Sequence, residues 1–243
     1  MKIMIKSVLA VVLLSLLCAV LYAAQATPPA PKYTEINYSA DTYSYRWQGE
    51  DRVLSLTGNV KFIHGDTTVQ ADKVDYREIT KTAVASGNLK ITDLQNVIAG
   101  SKCTVNFKDR KATITGNVRI VSTPKRTAGK PNESKAIQDL RDEVVVTCDS
   151  VDYYYKEKKA VVSSPLKIVQ KSRVVTADSA VYYSKDDILE LVGNVKANDE
   201  KDKDSFSAPK AKISFKENDQ WLQAEKAGGT IYVKEDELSA PSK

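Results

Sequence analysis

LSLTGNVKF, residues 54–62, decides the fold. Leu54, Leu56, Val60 and Phe62 share one face at a period of two, and Gly58 falls on that face between them. Either the chain reverses at Gly58-Asn59 or one strand bends there. A two-residue hairpin would set Thr57 with Val60 and Ser55 with Phe62, mixing polar with apolar. A continuous strand keeps the apolar set together. Register follows the buried face, so the stretch predicts a bend, with glycine where the inward face is pinched.

The stretch recurs. Gly58-Asn59, Gly87-Asn88 and Gly116-Asn117 are 29 residues apart, and Gly193-Asn194 follows two periods and 19 residues later. Ser164-Pro165 occupies the Gly-Asn place of the intervening unit. The 19 extra residues fall within an insertion covering about 122–141, STPKRTAGKPNESKAIQDLR. Pro124, Gly129 and Pro131 mark it as a surface loop, with a helical turn near 135–140. A second marker keeps the same period: SADTYSY (39–45), QADKVDY (70–76), TCDSVDY (147–153) and TADSAVY (176–182), with weaker copies AGSKCTV (99–105) and SAPKAKI (207–213). Two markers on one period define six repeat units.

In the second marker the apolar phase slips by one, from Val69 and Ala71 to Val74 and Tyr76, which reads as an extra residue, a β-bulge. Turn-forming residues separate the strands. One set is Arg77–Lys81, Lys108–Lys111, Lys156–Lys159 and Lys185–Asp187; the other is His64–Asp66, Asp93–Gln95, Lys171-Ser172 and Asn198–Asp204. The expected fold is all-β: about twelve long antiparallel strands, each kinked at mid-length. They form a bent, V-shaped roll with an apolar inner face and unpaired edges at both ends.

Composition agrees. Among 243 residues, Tyr outnumbers Phe 12 to 4, which suits pleated, half-buried surfaces. The net charge of +5 lacks the footprint of a nucleic-acid binder. At the N-terminus Lys2 and Lys6 precede an uncharged run, Ser7 to Ala24, and Ala24-Gln25-Ala26 offers a small-residue cleavage site. Residues 1–26 are expected to be a signal peptide, 27–32 a linker, 33–234 the repeat domain and 235–243 a tail. If residues 7–24 were retained, they are just long enough to anchor the chain in a bilayer.

The stretches LTGNVKF, VQADKVDY, ITGNVRI and LVGNVKA resemble the OstA-like, or LptA, family of lipopolysaccharide-transport proteins, over about residues 33–234. The insertion, Ser164-Pro165, and Ser101 and Pro209 at motif-aspartate places depart from the family pattern. The resemblance implies a bent β-jellyroll in the periplasm that carries lipopolysaccharide between the membranes. It also implies self-association edge to edge, and partnership with inner- and outer-membrane jellyrolls of the same pathway.

The inward stripe comprises Val60, Phe62, Val69, Leu89, Ile91, Ile114, Val118, Ile120, Leu166, Ile168 and Val175. Periodicity alone fits a packed core; the resemblance makes it a groove for acyl chains, each buried methylene gaining about 0.8 kcal/mol. Lys108, Arg110, Lys111, Lys156, Lys158 and Lys159, with Arg77 and Lys81, make one set of turns basic. Stacked on one rim they would meet lipid phosphates; otherwise they are solvated turns. Asp41, Asp72, Asp149 and Asp178 recur once per unit, which suits accepting local backbone hydrogen bonds at the bulge better than catalysis. His64 stands alone, so neither a metal site nor a nucleophile–base pair is expected, and no cofactor. Cys103 and Cys148 are about 10 Å out of step at ~3.3 Å per residue, which favours free thiols. Three rivals are a membrane-anchored jellyroll of the inner-membrane complex of the same pathway, if residues 7–24 are retained, and, from other classes, a β-helical polysaccharide-cleaving enzyme and a structural repeat with a filled core.

Overall fold

The computed structural model describes residues 35–123, 142–216 and 219–232. The expected signal peptide, the linker, residues 124–141 of the insertion with its helical turn, and the tail lie outside the described residues.

The described chain is one antiparallel sheet. Its strands are β1 (Asn37–Ser39), β2 (Thr42–Gln48), β3 (Asp51–His64), β4 (Thr67–Arg77), β5 (Thr82–Thr92), β6 (Asn96–Asn106), β7 (Lys111–Ser122) and β8 (Val144–Tyr154). The rest are β9 (Lys159–Val162), β10 (Leu166–Gln170), β11 (Arg173–Ala177), β12 (Ser179–Tyr183), β13 (Ile188–Asp199), β14 (Ser205–Lys216), β15 (Asp219–Glu225) and β16 (Gly228–Thr230). Sixteen segments make twelve ribbons. β1 with β2, β9 with β10, β11 with β12, and β15 with β16 are halves of single ribbons interrupted at the crease, each pair running along the same neighbours. Each ribbon pairs with the one before it and the one after it, an uncrossed meander. A β-helix stacks its strands in parallel, so that rival fails on topology.

Gly58 lies inside β3, away from any reversal. Thr57 faces Lys73 and Val60 faces Ala71, so Gly58 and Asn59 together oppose the single residue Asp72. The same two-against-one count recurs at Gly87-Asn88, Gly116-Asn117 and Gly193-Asn194. The extra residue therefore belongs to the Gly-Asn ribbon. The slipped apolar phase of the aspartate ribbon, read as an insertion, is a missing step relative to both neighbours. All four glycines have φ between +74° and +85° and their asparagines between +45° and +51°, the left-handed region that Gly and Asn tolerate best.

A side-chain latch holds each crease. Asp41, Asp72 and Asp178 pack over Gly58, Gly87 and Gly193 of the following ribbon; a Cβ on those glycines would stand 2.8–2.9 Å from the aspartate Cγ. The adjacent asparagine amide donates to the same carboxylate: Asn59 to Asp41 at 2.9 Å, Asn88 to Asp72 at 3.0 and 3.1 Å, Asn194 to Asp178 at 2.8 Å. Asp41, Asp72 and Asp178 thus accept from a side chain one ribbon on, not from local backbone as expected. At Gly116 the latch residue is Ser101, whose hydroxyl donates to the Gly116 carbonyl at 3.2 Å.

The core follows the crease. Leu56, Val60, Leu89, Ile114, Val118, Leu191 and Val195 flank it and are all 2% exposed or less. Fully burying one such side chain stabilises by about 1.5–3 kcal/mol. A solvent-facing latch bond contributes about 0.5–1 kcal/mol. Packing therefore drives the fold, and the latches decide where each ribbon bends.

Candidate functional site

One row of side chains crosses the whole sheet on the inner face. Cross-strand pairing links Tyr38, Phe62, Val69, Ile91, Ile98, Ile120, Val146, Ile168, Val175, Ala197, Phe206 and Gly229, one per ribbon. Every member before Gly229 is apolar. At about 4.8 Å per strand the row is roughly 50 Å long. Its burial is uneven. Val69, Ile91 and Ile98 are closed over, at 7%, 3% and 2% exposed. From Ile120 to Phe206, six consecutive ribbons present half-buried apolar side chains, all but Ala197 packed against the core.

The predicted stripe divides accordingly. Val60, Leu89, Ile114, Val118 and Leu166 are buried beside the crease, and Val69 and Ile91 are buried within the row. Phe62, Ile120, Ile168 and Val175 are half-buried in it. Sequence reasoning passed over Val146, Ala197 and Phe206. Counting the strand pairing outward from each crease, instead of scanning single motifs, places them beside Ile120, Val175 and Ala197.

The basic turns do stack on one rim. The Lys81 carbonyl accepts from the Phe107 amide, Arg110 from Tyr155 and Lys158 from Ser184, at 3.0–3.1 Å, tying successive turns together. Three of the cations are engaged: Arg77 with Asp51 at 3.6 Å, and Lys111 with Asp152 at 2.8 Å and Lys159 with Glu157 at 3.1 Å, the last two beside the Tyr154 ring. Lys108, Arg110, Lys156 and Lys158 make no ion pair with a described residue.

A second set of cations went unread. Three residues after each crease glycine, or its Ser164 equivalent, stands Lys61, Lys90, Arg119, Lys167 or Lys196. Pairing aligns them in one outward row, alternating with Gln70, Ala99, Thr147 and Thr176 and continuing to Ser207. None of the five makes an ion pair with a described residue. The signal was present as GNVK, GNLK, GNVR, SPLK and GNVK.

Both sheet edges carry exposed apolar groups. Tyr38, Tyr43, Tyr45 and Trp47 lie on β1 and β2, each more than half exposed. Leu222 on β15, and Ile231 and Tyr232 beyond β16, do the same at the other end. Cys103 and Cys148 are free and buried, facing Ile114 and Val118 on either side of β7. Burial pushes the Cys103 thiol up to about 12, and burial with the Asp149 charge pushes Cys148 up to about 11.

A creased antiparallel meander, apolar within and open at both edges, defines the structural class. The family model described as LptA/(LptD N-terminal domain) LPS transport protein matches residues 76–221, well over half of the chain. The chain belongs to this family of lipopolysaccharide-transport proteins. No curated protein matches it. Among solved structures it is similar to the crystal structure of LptH, the LptA-homologous periplasmic component of the lipopolysaccharide transport device of Pseudomonas aeruginosa. That likeness has 16% identity and a TM-score of 0.42, and covers 52% of this chain and 82% of that one. A match at that level adds no weight to either fold or function.

Proposed function

We propose that this chain is a non-enzymatic periplasmic carrier that holds lipopolysaccharide acyl chains against its inner apolar row and bridges the two membranes during export. The half-buried run from Ile120 to Phe206 carries the reading. A filled core would close all twelve ribbons alike, as it does between Val69 and Ile98. Instead six neighbouring ribbons present apolar surface that is only half-buried. Lipid methylenes laid along them gain about 0.8 kcal/mol each, without needing specific polar contacts. The edge strands β1, β2, β15 and β16, each paired on one side only, suit strand addition, either to further copies of the chain or to jellyroll domains of membrane partners. Residues 1–26 act as the export signal. Lys108, Arg110, Lys156 and Lys158 are the rim cations free to meet lipid phosphates.

Site-specific photo-crosslinking in cells tests the row. Probes at Ile120, Ile168 and Val175 label lipopolysaccharide, while probes at outward Lys61 and Lys90 do not. Equal labelling from both faces, or none from the inner one, rejects the carrier reading.

A further inference from the structure

The place where the repeat breaks is also a cleft. β9 stops at Val162 and β10 starts at Leu166, and pairing to both neighbouring ribbons lapses across residues 163–165. An open cleft of about 700 Å³ lies there. Small-molecule sites span about 300–1,000 Å³, so it has room for far more than a bare phosphate ion. Arg119, Lys167 and Lys196, three successive members of the outward cation row, line it.

The break also strands two halves of the crease latch. Asn117 lacks an aspartate partner, because Ser101 stands at that place. Asp149 lacks an asparagine partner, because Ser164-Pro165 replaces Gly-Asn. Elsewhere these groups satisfy each other, as Asn88 does Asp72. Here neither side chain makes a hydrogen bond or ion pair with a described residue, and both line the same cleft. The cleft's other carboxylate, Asp178, is already taken by Asn194.

Five polar groups thus line one cleft, three cations, one amide and one carboxylate, the cations standing on alternate ribbons about 10 Å apart with Lys167 in the middle. The cations match a phosphate. The carboxylate accepts from hydroxyls, and the amide both donates and accepts. Inorganic phosphate would use the cations but meet repulsion from Asp149. A neutral sugar would use Asp149 and Asn117 but leave the cations idle. We propose that this cleft binds a phosphorylated sugar, its phosphate on Arg119, Lys167 and Lys196 and its hydroxyls on Asp149 and Asn117. Strand alternation puts these cations on the opposite face from the apolar row, so the site does not rest on the acyl-chain reading.

Calorimetric titration of the purified chain with glucose 1-phosphate, inorganic phosphate and glucose provides the test. Glucose 1-phosphate binds at least about tenfold tighter than either fragment. Arg119→Gln with Lys167→Gln and Lys196→Gln abolishes that binding. Asn117→Ala with Asp149→Ala erases the preference over inorganic phosphate. Lys61→Gln with Lys90→Gln, in the same row but outside the cleft, changes nothing. The five cleft side chains are exposed, and Lys167→Gln alone, weakening binding severalfold, serves if the triple variant unfolds. A parallel arm uses phosphatidylcholine vesicles doped with phosphatidylinositol, whose head is a phosphorylated polyol. Vesicle capture that depends on the three cations assigns the site to a lipid head, and binding of glucose 1-phosphate alone assigns it to a soluble ligand. Saturation with neither probe below about 10 mM, or affinity that survives loss of the cations, overturns the proposal.

Discussion

Replacing Gly87 by alanine isolates what places the crease. Gly87 sits at φ +74° in β5, and a Cβ there would stand 2.8 Å from both Cβ and Cγ of Asp72. The left-handed backbone costs an alanine about 1–2 kcal/mol. Pushing Asp72 aside breaks its exposed bonds to Asn88, worth about 0.5–1 kcal/mol, and displaces its ribbon for about 1 kcal/mol more. The expected total is about 3 kcal/mol, a fall in Tm of roughly 6–12 °C for a domain of this size. Gly65→Ala is the control, because its φ is +54° and nothing lies within 4 Å of the added carbon; only the backbone cost applies. A cycle with Asp72→Gly removes the obstructing side chain altogether. Asp72→Ala would not, since Asp72 Cβ itself obstructs. In the Asp72→Gly background Gly87→Ala costs about 1–2 kcal/mol less than in the parent. Urea unfolding followed by circular dichroism measures all four corners. If Gly87→Ala costs no more than Gly65→Ala, or Asp72→Gly leaves its cost unchanged, the latch does not hold the bend.

Ser101→Asp restores the missing latch opposite Asn117 and stabilises the chain by about 0.5–1 kcal/mol in the same assay. Ile114→Ala, at a site 1% exposed, costs about 3–4 kcal/mol, whereas Ile168→Ala in the half-open row costs about 1; equal costs would mean the row is ordinary core. Asp199 is held down to about 2, chiefly by the Ser172 hydroxyl, with Lys201 backbone N–H and the Arg173 guanidinium assisting. Its stabilisation is complete above the usual carboxylate pKa near 4 and is lost as pH falls toward 2. Asp199→Asn therefore flattens the acid limb of urea midpoints between about pH 4 and 2. In a Cys18→Ser background, Ellman's reagent at pH 8 leaves Cys103 and Cys148 unmodified in the folded chain and titrates both in urea.

The bend, the meander and the ribbon count were legible because Gly58-Asn59 and its copies sit at a fixed step within an unbroken apolar phase. The bulge was assigned to the wrong ribbon because a single strand shows a phase slip but not which partner is longer; only the pairing of Lys73 with Thr57 and Ala71 with Val60 decides it. The Asp–Asn latch escaped for the same reason, since Asp72 and Asn88 lie 16 residues apart and meet only across two ribbons. Which inward residues stay half-open was not legible either. Ile98 and Ile120 are the same residue type in the same row, yet one is closed over and the other is not. That difference belongs to the tertiary surroundings, which periodicity does not record.

The crease has a mechanical consequence. Each Gly-Asn ribbon spends two peptide units where its neighbour spends one, so alternate ribbons differ in arc length at one fixed line. Curvature of that kind is a wedge written into the residue count. It is set by the count of residues between paired positions and not by what rests against the inner face, so the bend is a permanent property of the chain's own covalent length.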